Sequence, residues 1–225
     1  MSLLYLTSYN FNPKAVFILP VGSIEQHDNL PLGTDSLIAE CIAWNIADRL
    51  PMNGLEAVVI PPLYYGFSPE WMGAPGTLSL SMESLCLVLK DISRSLRVNG
   101  VEKLVIINGH GGNSSLLEAC VSDLSKDSIT PRILLVNYYR HIRNAKLGHA
   151  CRVERSLLEY CGISVPRDPQ RIIEGTVGPE ALWRRDKEPI AYIPPGDRPL
   201  EQGEIEDMIS SITSLVSEFY KDSRL

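Results

Sequence analysis

Four short apolar runs rich in β-branched residues, each bounded by Gly, Pro or Asn, recur at 15–21 (AVFILPV), 56–63 (EAVVIPPL), 102–108 (EKLVIIN) and 132–138 (RILLVNY). Runs without polar alternation are strands covered on both faces. Apolar residues take helical spacing at about 35–50, 81–98, 113–126, 150–161 and 203–221. Ser81 and Asn113 stand where a short polar side chain would cap a helix. This alternation predicts an α/β fold, a three-layer α/β/α sandwich with a mostly parallel central sheet. At 225 residues and 44% hydrophobic content the chain suits one domain, 1–225. Residues 162–200, rich in Pro, Gly and Arg, read as connecting loops.

A net charge of −6 and the lack of a dense Lys/Arg run argue against nucleic acid or an anionic membrane surface as partner. No stretch approaches the roughly 18 consecutive apolar residues of a membrane span. The first residues carry no basic leader, so the expected address is the cytoplasm and the expected partner a small molecule. The five cysteines are widely spaced without a CxxC pair and read as reduced packing residues, although Cys151 lies within a candidate site, where its thiol could instead approach a metal.

In open α/β sheets ligands bind beyond the carboxyl ends of the strands. Three of the four histidines follow strand ends: His27 in GSIEQHDNLPLGTD, His110 in NGHGGN (108–113) and His149 in GHACRVERS. Glu25 and His27, two apart, would project to one side of an extended segment. Asp35 follows a Pro-Leu-Gly turn that could fold it back, although Asp there could equally cap the next helix. NGHGGN suits metal or anion binding alike, because glycine lets backbone approach a ligand. Mixed Asp/Glu/His ligation without thiolate fits zinc, manganese or iron, and a shared carboxylate could bridge two such ions. His149 and Glu154, five apart, would not face one another on a regular helix.

These motifs resemble the creatininase family of metal-dependent amidohydrolases, which read PVGSxEQHGPHLPLGTD, NGHGGN and HAGExETS. The likeness continues through GFSPEWMGAPGTLSL (66–80) and GTVGPEAL (175–182). It implies a three-layer α/β fold, two divalent metal ions (Zn, Mn or Fe) and a homo-oligomer such as a hexamer. By position, Glu25, Asp35 and His110 would hold one ion, and His27 with a bridging Asp35 the other. Glu154 would be a ligand or close neighbour of the second ion and a candidate catalytic group. His149 would protonate the leaving nitrogen during hydrolysis of a non-peptide C–N bond, in a cyclic amide or formamide.

The same resemblance makes Ser68, Trp71 and Gly111 substrate-binding candidates. The chain has EQHDNLP for EQHGPHLP, one residue shorter, so the ligand loop must tighten. Asp28 falls where the family has Gly, and Trp71 replaces a histidine. Gly112 stands where creatininases proper have the glutamate of NGHYEN, which counts against creatinine as substrate. Cys151, Arg152 and Arg155 replace Gly, Glu and Thr. The arginines suit an anionic substrate or, equally, a solvated surface. Within the family, a formylaminopyrimidine ribosyl phosphate deformylase is the alternative activity; a ligand-binding protein without turnover is the alternative outside enzymes.

Overall fold

The computed structural model describes residues 1–166, 168–174 and 188–222. The GTVGPEAL stretch therefore lies outside the described residues. Strands β1 (Val16–Val21), β2 (Ala57–Val59), β3 (Lys103–Asn108) and β4 (Arg132–Asn137) form a parallel sheet in the order β2-β1-β3-β4. Central strand β1 is buried throughout, as an apolar run without alternation requires. β2 is shorter than its apolar run because Pro61 and Pro62 follow and cannot donate to a ladder; pairing resumes only as a bridge between Val21 and Leu63.

Alternate residues of β1 and β3 point to opposite faces, and each face has its own core. Val16, Ile18, Val105 and Ile107 pack with α1 (Thr34–Arg49), α4 (Arg152–Tyr160) and α5 (Gln202–Lys221). Phe17, Leu19, Leu104 and Ile106 pack with α2 (Met82–Val98) and α3 (Ser114–Leu124). The three-layer α/β/α sandwich expected from the sequence is the architecture found. Among the described residues, no helix is long and apolar enough to cross a membrane.

Three expectations require correction. The 162–200 region contains a small parallel pair, β5 (Ile172–Glu174) with β6 (Ala191–Ile193), too short to show as periodicity. Asn113 precedes α3 but caps nothing with its side chain: its Oδ1 accepts from Phe67 N (2.8 Å) and its Nδ2 donates to Gly22 O (2.9 Å). Ser81 does cap α2, accepting from Ser84 N at 3.1 Å. Four of the five cysteines are paired, Cys41 with Cys161 and Cys86 with Cys120, leaving Cys151 free and buried. Tertiary packing brings Cys41 to Cys161 across 120 residues, so spacing along the chain gives no sign of the bond.

Candidate metal centre

Strands β1, β3 and β4 end in register, with Val21 beside Asn108 and Asn108 beside Asn137. Asn108 Nδ2 then donates to Asn137 Oδ1 and to His110 O, both at 2.8 Å, fixing the turn that carries His110. A Cβ on Gly109 would lie 2.1 Å from Asp35 O, so glycine is what lets this turn meet the start of α1. The shortened loop after β1 closes as a tight turn, Leu30 N donating to His27 O at 2.8 Å. Its Asp28 takes a positive φ of 49°, a conformation Asp tolerates better than most residues.

This scaffold converges Glu25, His27, Asp35, His110, His149 and Glu154, all buried. Asp35 is not the cap of α1, whose first residue follows Gly33; it lies in the first turn and faces the site. Its Oδ1 is 3.3 Å from His27 Nε2, while Oδ2 is 2.8 Å from His110 Nδ1 and accepts from Ser23 Oγ at 2.7 Å. Glu25 Oε2 is 3.2 Å from His110 Nε2, and its Oε1 is 3.5 Å from His149 Nδ1. Glu154 Oε1 is 3.9 Å from His27 Nε2, and its Oε2 accepts from Cys151 N at 3.0 Å. His149 can approach this cluster because it precedes α4 in a bridge to Tyr192, so helical spacing does not govern it.

Donor chemistry fits a divalent cation. Glu25 is 1% exposed, yet neither of its oxygens accepts a hydrogen bond, and His27 Nε2 also lacks a hydrogen-bond partner. A buried carboxylate that has imidazole neighbours but no hydrogen bond is incompletely satisfied, and a coordinated cation would supply the missing partner. Among the described residues, three sets have ligand atoms within 4.8 Å of one another: Glu25, Glu70 and His110; His27, Asp35 and Glu154; Glu25, His27 and His149. The donors are all oxygen and imidazole nitrogen, suited to Zn, Mn or Fe.

Electrostatics point the same way. Burial drives the Glu25 and Glu154 carboxyls up to about 7, against the pull of His110 and His27 respectively. Burial opposes protonation of His27 and His110, but Asp35 beside the first and Glu25 and Asp35 beside the second raise both to about 10. Asp35 itself, despite burial, is held well below the carboxylate range by His27 and His110. The cluster thus recruits positive charge. His149 differs: burial, then the His27 charge, push it well below its ordinary value, so it stays neutral.

Glu25, Asp35, His110, His149 and Glu154 border a cavity of about 320 Å³, whose lining also includes Trp71, Gly111, Gly112, Tyr139 and Leu147. The Trp71 ring stacks on His149 at 4.4 Å between centroids. Gly111 opens onto the cavity, whereas Ser68 is buried with Oγ 3.2 Å from His110 Nε2. Arg152 and Arg155 are not brought here. They border a separate hollow, Arg152 pairing with Asp197 and Arg155 lying 3.7 Å from Asp28. A larger hollow of about 560 Å³ near Phe11 and Ile92 has, among the described residues, Asp91 as its one titratable lining residue and no comparable cluster of ligand-type side chains.

Sequence reasoning passed over two residues of the site, Gln26 and Glu70. Gln26 Nε2 is 2.8 Å from His149 Nε2, and its Oε1 accepts from Ile190 N at 2.8 Å. Glu70, 8% exposed, reaches within 3.8 Å of His110 Nε2. Both lie within quoted motifs, but neither residue type marks a site on its own.

A sequence profile described as creatininase, creatinine amidohydrolase, matches residues 6–176. The chain belongs to the creatininase family. It is 41% identical over 107 residues to a mycofactocin precursor peptide peptidase of Mycolicibacterium smegmatis, a match covering 47% of this chain and 43% of that protein. It is 31% identical over 157 residues to a Methanococcus maripaludis 2-amino-5-formylamino-6-ribosylaminopyrimidin-4(3H)-one 5'-monophosphate deformylase, covering 68% of this chain and 63% of the relative. The chain spans less than half the length of the first curated relatives it matches. A solved structure described as Creatininase Mn superposes with a TM-score of 0.76 at 22% identity, covering 98% of this chain and 99% of that one, and shows the shared creatininase fold.

Proposed function

We propose that this chain is a metal-dependent amidohydrolase that hydrolyses a non-peptide C–N bond, a cyclic amide or formamide, of a small molecule at a centre of two divalent ions. The observation that carries this reading is Glu25, buried with both oxygens lacking hydrogen bonds amid His27, His110 and His149. Glu25, Asp35 and His110 belong to one ion in this reading, and His27, Asp35 and Glu154 to the other. Such ions, when bound, supply a Lewis acid and lower the pKa of water toward neutrality.

The chain's own groups do the rest. Gln26 Oε1 accepts from Asp28 N and Ile190 N, so its Nε2 is the donor toward His149 Nε2. The His149 proton is thereby assigned to Nδ1, on the Glu25 side, where the neutral imidazole can donate a hydrogen bond to the reacting group of the substrate. Trp71 holds the ring in plane and shields that face from water. A cavity of about 320 Å³ suits a small compound, being at the lower end of ligand pockets of about 300–1,000 Å³. Arg152 and Arg155 stand elsewhere, so an anionic substrate group would be received at the rim by backbone of Gly111 rather than by these arginines. A homo-oligomer and a cytoplasmic address complete the reading.

A second reading, cleavage of a peptide end, is favoured by the 41% identity to the peptidase noted above. Metal analysis and turnover separate the possibilities. Purified protein should carry close to two divalent ions per chain, and Asp35→Asn should lose both. Substoichiometric metal unaffected by Asp35→Asn would reject the metal centre. Hydrolysis of N-formyl or cyclic amide compounds with Mn, Zn or Fe supports the main reading. Cleavage confined to short peptides supports the second.

A further inference from the structure

We infer that Glu70 is a direct ligand of the Glu25/His110 ion, occupying the space that Gly112 leaves open. This deepens, and rests on, the metal-centre reading.

His110 meets Asp35 through Nδ1, at 2.8 Å from Oδ2. That contact leaves Nε2 as the atom available to an ion; it faces away from Asp35 toward Phe67 O at 3.1 Å, Ser68 Oγ and Glu25 Oε2 at 3.2 Å and Glu70 Oε1 at 3.8 Å, and a bound ion would take the place of the proton it shares with Phe67 O. The atoms able to hold an ion on the Nε2 side therefore come from Glu25, Glu70 and His110, all buried and mutually within 4.8 Å. Asp35, common to both ions in the proposed centre, also fixes the His110 imidazole's tautomer and direction through its contact with Nδ1. Glu25 provides the independent sign of a cation: both its buried oxygens lack a hydrogen bond and one faces this same Nε2.

Gly112 has a steric role in the arrangement. A Cβ there would fall 2.4 Å from His110 Nε2 and 2.8 Å from Glu70 Oε1, so any side chain would enter the space where the two converge. The turn bearing Glu70 is held on both sides: Ser68 N donates to Ser79 Oγ at 2.8 Å, and Trp71 stacks on His149. Glu70 is thus presented by fixed neighbours, as a ligand needs to be.

The test is metal content after dialysis, chelator competition, and the visible absorption of the cobalt-substituted protein, with Glu83→Gln as an exposed-acid control. Glu70→Gln should weaken one of the two ions at least tenfold and alter the cobalt spectrum, while Glu83→Gln leaves all three readouts unchanged. Should Glu70→Gln fail to fold by circular dichroism, Glu70→Asp, which keeps the carboxylate one methylene shorter, should shift the cobalt spectrum. A folded Glu70 variant with wild-type content, competition and spectrum overturns the assignment and leaves the metal centre standing. Wild-type protein that binds no metal overturns both.

Discussion

At the scale of single residues, the proton on His149 is decided by Gln26. The amide's oxygen is committed to two backbone N–H groups, so its nitrogen must donate to His149 Nε2, which forces the imidazole proton to Nδ1. With protonation suppressed by burial and by His27, the ring is a neutral hydrogen-bond donor at Nδ1. His149→Ala should lower kcat by about 10²–10³-fold, the usual worth of one positioned donor at the reacting group, with both ions retained. Loss of an ion in that variant would instead make His149 a ligand with Glu25 and His27. Gln26→Leu removes only the constraint on the tautomer. It should lower kcat by about tenfold and shift the acid limb of the pH–rate profile, with KM little changed; an unaltered profile would reject the positioning role.

At the scale of elements, Asp28 ties the ligand turn to the second, small sheet. Its carboxylate accepts from Gln170 N at 2.6 Å and Arg171 N at 3.1 Å, just before β5, and lies 3.7 Å from the Arg155 guanidinium. Both side chains of that ion pair are nearly inaccessible, so Asp28→Ala should destabilise the fold by about 3 kcal/mol. Amide exchange should rise first at 170–172 while metal content stays at the wild-type level; unchanged exchange there would show that the strap is held by other contacts. The sequence disclosed the strands, the main helices and the places of Glu25, His27, Asp35, His110, His149 and Glu154, because strand ends and ligand-type side chains leave local patterns. Asp28 and Arg155 were not legible as partners, since 127 positions of chain separate them and charge alone suggested ligand or solvent. The roles of Gln26 and Glu70 and the two cysteine pairings depend in the same way on which loops the sheet brings together.

At the scale of the whole molecule, the buried cluster links stability, pH and metal. Glu25 and Glu154 are raised by burial to about 7 from 4.5. His27 and His110 are raised to about 10 from 6.5, burial resisting and their carboxylate neighbours prevailing. All four hold protons more tightly folded than unfolded, so above pH 6.5 the protein stripped by chelator loses stability as pH rises toward 10. His149 and Asp35, both lowered, act with the opposite sign, but only at and below their ordinary values of 6.5 and 3.8. Divalent ions need the same carboxylates ionised and the same imidazoles neutral, so their binding strengthens over the range in which the stripped protein weakens. At a thousandfold excess over Kd an ion adds about 4 kcal/mol, or about 8–16 °C in Tm for a chain of this size. Thermal unfolding in chelator and in excess Mn or Zn, from pH 6.5 to 9.5, should give curves that diverge as pH rises. Parallel curves would mean that these residues do not exchange protons for a cation, and the electrostatic basis of the metal centre would fall.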